Sequence, residues 1–307
     1  MGNNWGVLGS GFGSYGYLPA IVKAGYPVSV PERYLGKFKT RTDIFPLINK
    51  IRFCKTDSEI IKSSDFLVFA RRPVDQNIFI QNNIEHLKSK FIFFEKPLSQ
   101  SNQLSQKNLE LLIRNKIRFR MGFLSSYSDW FLRLGSTLSS KRNKNIKISL
   151  EWHFNAQHFI SNKTSWKGLI TEGGGCFYFY GSHLIHAFSQ LACWDLAKLQ
   201  KKYSGLNTDR EFDLSLSNQN WLANLSVNAY SESEPIFRIT VLEENKTIFR
   251  YNAASIFEMP TSYEVIDPRS ELIYDHIQSI EQKHEFSEDY KKYLKLEKKC
   301  LMSEETI

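Results

Sequence analysis

Val7-Leu8-Gly9-Ser10-Gly11-Phe12-Gly13-Ser14 sets three glycines between an apolar run, Trp5 to Leu8, that reads as a β-strand, and a segment at 19–23 that reads as part of a helix. Only in that setting does such a spacing carry meaning. Gly9 permits a tight turn, and Gly11 lets the backbone approach a pyrophosphate at the helix start, where N–H groups point at the charge. Ser14 takes the place of a third glycine, small enough for close packing, with Phe12 and Gly13 completing the loop. A second mark is an acidic residue about 20 positions onward, at the end of the second strand, where it holds ribose hydroxyls. Glu32 stands there and Arg33 follows it. The carboxylate favours NAD, whereas the guanidinium suits the extra phosphate of NADP; a surface ion pair accounts for either residue equally well.

Outward from this loop, short apolar runs alternate with amphipathic stretches, the pattern of a parallel sheet with helical crossovers. Strands are expected at 28–30, 51–54, 65–70, 91–94 and 117–122, with helices at 58–62, 77–87 and 103–115. After residue 122 the strands lengthen and alternate with few crossovers, at 147–154, 212–216, 221–230, 236–243 and 247–251, which predicts a mostly antiparallel sheet. Glu244-Asn245 reads as a hairpin turn, 181–193 as a helix entered through Gly173-Gly174-Gly175, and 271–302 as terminal helices. The expected architecture is α/β: an N-terminal Rossmann domain over residues 1–122 and a C-terminal α+β domain over 123–307, the latter for substrate and oligomerisation.

Composition narrows the function classes. A hydrophobic fraction of 42% and a charged fraction of 23% describe a chain that folds. No apolar stretch is long enough for a membrane span, and no signal peptide opens the chain. Met1-Gly2-Asn3-Asn4-Trp5-Gly6 begins like a myristoylation site but has no Ser or Thr at position 6. A cytoplasmic protein without a membrane partner is expected. The net charge of +8 comes in short basic runs without a nucleic-acid-binding signature, so a solvated surface is expected and nucleic acid is not. Cys54, Cys176, Cys193 and Cys300 form no C-x-x-C pair and read as small core residues, with no metal site.

Glu95-Lys96-Pro97 closes a buried strand, where open parallel sheets bind ligands. A lysine there is desolvated beside a substrate hydroxyl. Taken together, the glycine loop, this Glu-Lys-Pro and the Gly173-Gly174-Gly175 segment before a histidine-bearing helix resemble the Gfo/Idh/MocA oxidoreductase family. The likeness extends to Ala70-Arg71-Arg72-Pro73-Val74-Asp75-Gln76, matching a loop on the nicotinamide side, and to Trp166-Lys167 ahead of Glu172. The resemblance implies NAD or NADP as cofactor, bound by Gly9, Gly11, Phe12, Gly13, Ser14, Glu32, Arg33, Arg72, Pro73, Gln76, Glu95, Lys96 and Trp166. It makes Lys96 the active-site lysine and His183 the general acid or base. A histidine titrates near neutral pH, as proton transfer to and from an alcohol requires, and Lys96 would steady the alkoxide.

Family members commonly carry aspartates where this chain has Phe179 and His186, and histidines where it has Gln76 and Tyr17. Tyr178 or Tyr180 is the candidate replacement for the missing acid, Tyr180 being the one assigned a catalytic role, against a reading of both as packing residues. The implied substrate is a sugar or nucleotide-sugar alcohol, with a place in surface polysaccharide synthesis. The alternatives are a dinucleotide-binding regulatory or accessory protein and a non-redox member acting as lyase or hydrolase. An open-faced sheet of the family's kind implies a homodimer or homotetramer.

Overall fold

The computed structural model describes residues 3–161, 165–205, 207–258, 267, 269–281 and 286–306. Met1 and Gly2 of the myristoylation-like start lie outside them.

Runs such as Phe66-Leu67-Val68-Phe69 and Phe91-Ile92-Phe93-Phe94 have apolar side chains on both faces, so they are stable only as central strands covered on two sides. They take those places. The strands β1 (Trp5–Leu8), β2 (Val28–Pro31), β3 (Ile51–Cys54), β4 (Phe66–Phe69), β5 (Phe91–Phe94) and β6 (Arg118–Met121) form a parallel sheet in the order β3-β2-β1-β4-β5-β6. The order reverses beside β1, which creates the crevice at the carboxyl ends where such sheets bind ligands. The first compact unit combines Met1–Ser99 and Gln103–Leu124 with the later stretch Pro260–Ser287; the second takes Gln100–Asn102, Ser125–Met259 and Glu288–Ile307. The division therefore differs from a single cut at 122/123, because a late stretch of chain returns to the first unit.

Arg120 holds that returning stretch. Its guanidinium is 1% exposed and donates to the carbonyls of His276 at 2.8 Å and Ser279 at 2.6 Å. It also lies 3.9 Å from the Phe286 ring centre. Lys23 pairs with Glu271 at 2.5 Å on the same helix, Arg269–Gln278.

In the second unit, β7 (Ile146–His153), β8 (Leu196–Tyr203), β9 (Asp209–Ser217), β10 (Trp221–Asn228), β11 (Ile236–Glu243), β12 (Lys246–Ala253) and β13 (Glu304–Thr306) form one sheet in the order β12-β11-β7-β10-β9-β8-β13. It is mostly antiparallel, with β7–β10 and β8–β13 parallel. One face buries Ile148, Leu150, Leu214, Leu225 and Ile239; the other carries polar pairs such as Arg238–Glu151 and Ser215–Asn224. Glu244 and Asn245 adopt φ of 50° and 66° in the β11–β12 hairpin, the left-handed pair such a tight turn requires. The strand β8 escapes the hydrophobic pattern because its inward position 201 is a lysine. Lys201 is 2% exposed and is neutralised by Glu304 at 2.9 Å on the neighbouring β13.

Two further expectations change. The helix Asp129–Ser139, which buries Trp130, Leu134 and Leu138 at helical spacing, was not among the expected elements. Cys193 is exposed, unlike the other three cysteines, because it lies beyond the end of the helix Ser182–Leu191. Among the described residues no helix is long and apolar enough to cross a membrane.

Replacing Arg120 with Met should leave the His276 and Ser279 carbonyls without their buried donor and cost about 2–4 kcal/mol in urea unfolding. Hydrogen exchange should quicken in 269–281. A loss under about 1 kcal/mol with unchanged exchange would remove Arg120 from this role.

Candidate functional site

The glycine loop turns off β1 where β4 ends. A Cβ on Gly9 would stand 2.3 Å from the Ala70 carbonyl oxygen, so only glycine allows that approach. No protein atom lies within 4 Å of where a Gly11 side chain would project, leaving its backbone open to a ligand. Ser14 answers for the missing third glycine: its hydroxyl, 1% exposed, donates to the Gly9 carbonyl at 2.8 Å and ties the loop to the helical turn Gly13–Tyr17. Two cations flank the loop. Lys37 donates to the Ser10 carbonyl, and the Arg269 guanidinium sits 4.5 Å from the Phe12 ring centre, held by Asp267 at 2.7 Å. Neither was found by sequence reading. Arg269 has no local signal, since its place on the loop depends on the late segment that Arg120 anchors.

Glu32 directly follows β2, at the start of the helical turn Glu32–Tyr34, and is exposed. Arg33 beside it pairs with Asp57 at 2.6 Å. The same carboxylate takes Arg71 at 2.5 Å. Arg72, at the start of the helix Pro73–Leu87, pairs with Asp75 at 3.1 Å, with Pro73 buried in its first turn.

Lys96, 7% exposed, follows β5. The carbonyls on either side of it are gripped by one side chain: the Gln76 amide donates to Glu95 O and to Pro97 O, both at 2.8 Å. Gln76 is 0% exposed. Gln76, expected at the cofactor, uses its amide nitrogen to brace the backbone around Lys96. Tyr17, where the family often has histidine, donates its hydroxyl to Glu95 Oε1 at 2.8 Å. Gly122 makes room for this carboxyl, which would be 2.3 Å from a Cβ there. Burial pushes the Glu95 carboxyl up to about 7, against the downward pull of the Tyr17 hydroxyl, Lys96 and Arg269. In the first unit, then, the loop, Glu95 and Arg269 form one electrostatic group.

In the second unit, the helix bearing His183 begins earlier than expected, as a wide turn over Cys176–Gly181 that continues into Ser182–Leu191. The cause lies far along the chain. Asp209, 0% exposed, accepts the Cys176 and Phe177 amides at 3.0 and 2.9 Å, capping orphan donors of the first turn. Gly175, at φ of 85°, leaves room for it. Burial raises the Asp209 carboxyl above the ordinary range, although both amides and Lys201 oppose this.

His183 is 5% exposed, lies edge-on to Phe257 at 5.1 Å, and has its carbonyl held by the Ser125 hydroxyl at 3.2 Å. His186, one turn on, contacts the Ser126 hydroxyl at 3.2 Å through Nδ1. Burial, assisted by Lys292, pushes it down to about 3, so it is neutral near physiological pH. Phe179 packs against Trp166 at 5.4 Å and Tyr180 at 4.9 Å, which joins those two expected site residues in one aromatic cluster. The Tyr180 hydroxyl lies 3.4 Å from His158 Nδ1, with the two rings stacked. His158 had no motif to mark it.

By sequence, the chain matches no family model and no curated protein. By structure, it is similar to the WlbA dehydrogenase from Bordetella pertussis in complex with NADH and UDP-GlcNAcA, at 13% identity and a TM-score of 0.75 over 99% of this chain and 96% of that one. It is also similar to GenD2 from gentamicin A biosynthesis in complex with NAD, at 13% identity and 0.74 over 99% and 94%. A super-repressor mutant of Gal80p from Saccharomyces cerevisiae matches at 12% identity and 0.69 over 91% and 84%. The fold of this chain is therefore the two-domain fold of these proteins, a Rossmann sheet followed by a large mixed sheet.

The Glu95 carboxyl gives a signed pH effect. Its folded value of about 7 lies above the ordinary 4.5. The protonated group therefore favours the folded state, fully below about 4.5, and that contribution is lost as pH rises through 7. Tyr17→Phe removes a hydrogen bond to the charged form, so the carboxyl should titrate higher still and the loss should extend to higher pH. Difference infrared spectroscopy of the carboxyl band should show this; an unchanged midpoint would mean that Tyr17 does not set it.

Proposed function

We propose that this protein is an NAD(P)-dependent oxidoreductase acting on a secondary alcohol or ketone of a sugar or nucleotide-sugar. The observation that carries the reading is the arrangement at the carboxyl ends of one parallel sheet. An open Gly11 backbone flanked by Lys37 and Arg269 at β1 suits a pyrophosphate, and a buried lysine held in register by Gln76 stands at the end of β5. The WlbA and GenD2 complexes with NADH and NAD support it. The UDP-GlcNAcA in WlbA supports the substrate class.

Gly9, Gly11, Phe12, Gly13 and Ser14 would cradle the pyrophosphate, with Glu32 at the adenosine ribose. When bound, the nicotinamide supplies the hydride acceptor or donor. Lys96 holds the substrate oxygen through charge and hydrogen bonding as negative charge develops there. His183 takes or returns the hydroxyl proton. Tyr180, with His158 on its hydroxyl, positions a sugar hydroxyl from the aromatic cluster. The segment Arg72-Pro73 would serve the nicotinamide side, a role the resemblance also gives to Trp166.

A second reading, a dinucleotide-binding regulatory protein, is favoured by one observation: where the family carries aspartates, Phe179 is locked in aromatic packing and His186 is held neutral. The fold likeness to Gal80p accords with it. Mutation separates the two. Lys96→Ala or His183→Ala should lower turnover of a nucleotide-sugar substrate by about 100-fold or more while the melting temperature of both, and NADH binding of the His183 variant, stay near those of the parent. Full activity in either variant would sink the assignment; NADH binding without turnover of any sugar nucleotide in the parent would favour the regulator.

The open sheet face, with its Glu151–Arg238 and Ser215–Asn224 pairs, is the expected contact in a homodimer or homotetramer. Light scattering at micromolar concentration should give two or four chain masses. One chain mass would count against that assembly.

A further inference from the structure

Asp57 sits in the first turn of the helix Asp57–Ser63, just beyond β3, with Thr56 as the capping residue. From there it gathers arginines from two other strand ends. Arg33 follows β2 and reaches it at 2.6 Å, and Arg71 follows β4 and reaches it at 2.5 Å. Because β2 and β4 flank β1 in the sheet, this triad spans the carboxyl end of the strand that leads into the glycine loop. Both guanidinium groups are further fixed over rings, Arg33 over Tyr34 at 5.2 Å and Arg71 over Phe69 at 5.4 Å. A cavity of about 400 Å³ opens beside them, lined by Leu8, Asp57, Ser58, Arg71 and Phe79 among others. Its size is in the range of ligand pockets.

Two arginines at the ribose end of a dinucleotide site would ordinarily signal a 2′-phosphate, which guanidinium groups bind through paired, charge-assisted hydrogen bonds. Here one terminal nitrogen of each is already engaged by Asp57. A phosphate entering the triad competes with Asp57 for those two nitrogens and meets like charge from Asp57 and from Glu32 beside Arg33. A free 2′-hydroxyl carries no such penalty and finds an acceptor in Glu32. Partial burial pushes the Asp57 carboxyl up, but Arg71 and Arg33 together hold it below its ordinary value, so it is ionised throughout the physiological range.

Resting on the dinucleotide reading above, we propose that Asp57 is the residue that sets cofactor choice, making the protein take NAD(H) over NADP(H) by sequestering Arg33 and Arg71. The preference lies in the third strand's helix rather than in the second-strand acid alone. Removing the Asp57 charge releases both arginines and raises the local charge by one, which makes a phosphate site.

The experiment is titration of the purified full-length protein with NADH and with NADPH, followed by nicotinamide fluorescence. The parent should bind NADH more tightly. Asp57→Asn, which keeps shape and helix-start preference, should raise affinity for NADPH relative to NADH by about tenfold or more, since one or two charge-assisted hydrogen bonds are released. Asp57→Asn combined with Arg33→Ala should lose that gain, and Asp57→Glu should keep the parent's preference. Melting curves identify any variant that fails to fold, and Asp57→Ser then serves in its place. A parent that prefers NADPH, or an Asp57→Asn protein with an unchanged ratio, overturns the proposal while leaving dinucleotide binding intact. Binding of neither nucleotide by the parent overturns the dinucleotide reading, and this proposal with it.

Discussion

The approach of Gly9 to the Ala70 carbonyl is the contact on which the first unit's chemistry depends. With 2.3 Å between that oxygen and the position of a Cβ, no side chain can enter. The loop therefore lies flat against the end of β4 and presents Gly11 outward. Everything else at this edge of the sheet is referenced to that plane. Ser14 closes the loop onto Gly9, and Tyr17, one helical turn on, reaches Glu95 at the end of β5. Gln76 then holds the backbone on both sides of Lys96. A chain of direct hydrogen bonds thus links the phosphate-type loop to the lysine, so the two are placed by one rigid network rather than by separate loops.

Much of this was legible because the signals are local. The apolar runs that became β4 and β5, the glycine spacing and the Glu-Lys-Pro at a strand end each lie within a few residues, and the parallel sheet follows from their alternation with helices. The illegible parts depend on partners distant in sequence. Lys201 in β8 looks like a solvated residue until Glu304 of β13 is beside it. Asp209 caps the first turn at Cys176 from a strand that follows the helix it starts. Arg269 reaches the glycine loop only because Arg120 fixes a segment that returns from the far end of the chain. Gln76 reads from sequence as a cofactor-loop residue, whereas its amide nitrogen contacts backbone on both sides of Lys96, a distinction residue type cannot express.

Cofactor choice shows the same limit at one site. Glu32 and Arg33 read as opposed votes when taken alone, since the sequence carries no indication of what Arg33 touches. The proposed answer is Asp57, which engages Arg33 and Arg71 together and offsets one of their two positive charges. The net effect of an arginine depends on its carboxylate, and that pairing is a property of the folded sheet order, which brings the ends of β2, β3 and β4 around β1.

The second unit distributes its acids in a way that bears on the missing aspartates. Asp209 is committed to the helix start, and Glu297, 2% exposed, accepts from Asn102 at 2.6 Å and from the Tyr293 hydroxyl. Burial holds both carboxyls above their ordinary range. Neither is free to serve as a substrate anchor, and His186 at the position of the second family aspartate is kept uncharged. Beside this helix the Tyr180 hydroxyl and His158 Nδ1 lie 3.4 Å apart, and His183 is held in the helix itself. Asp209 and Glu297 are thus structural carboxyls, one fixing the start of the His183 helix and the other tying Asn102 to Tyr293.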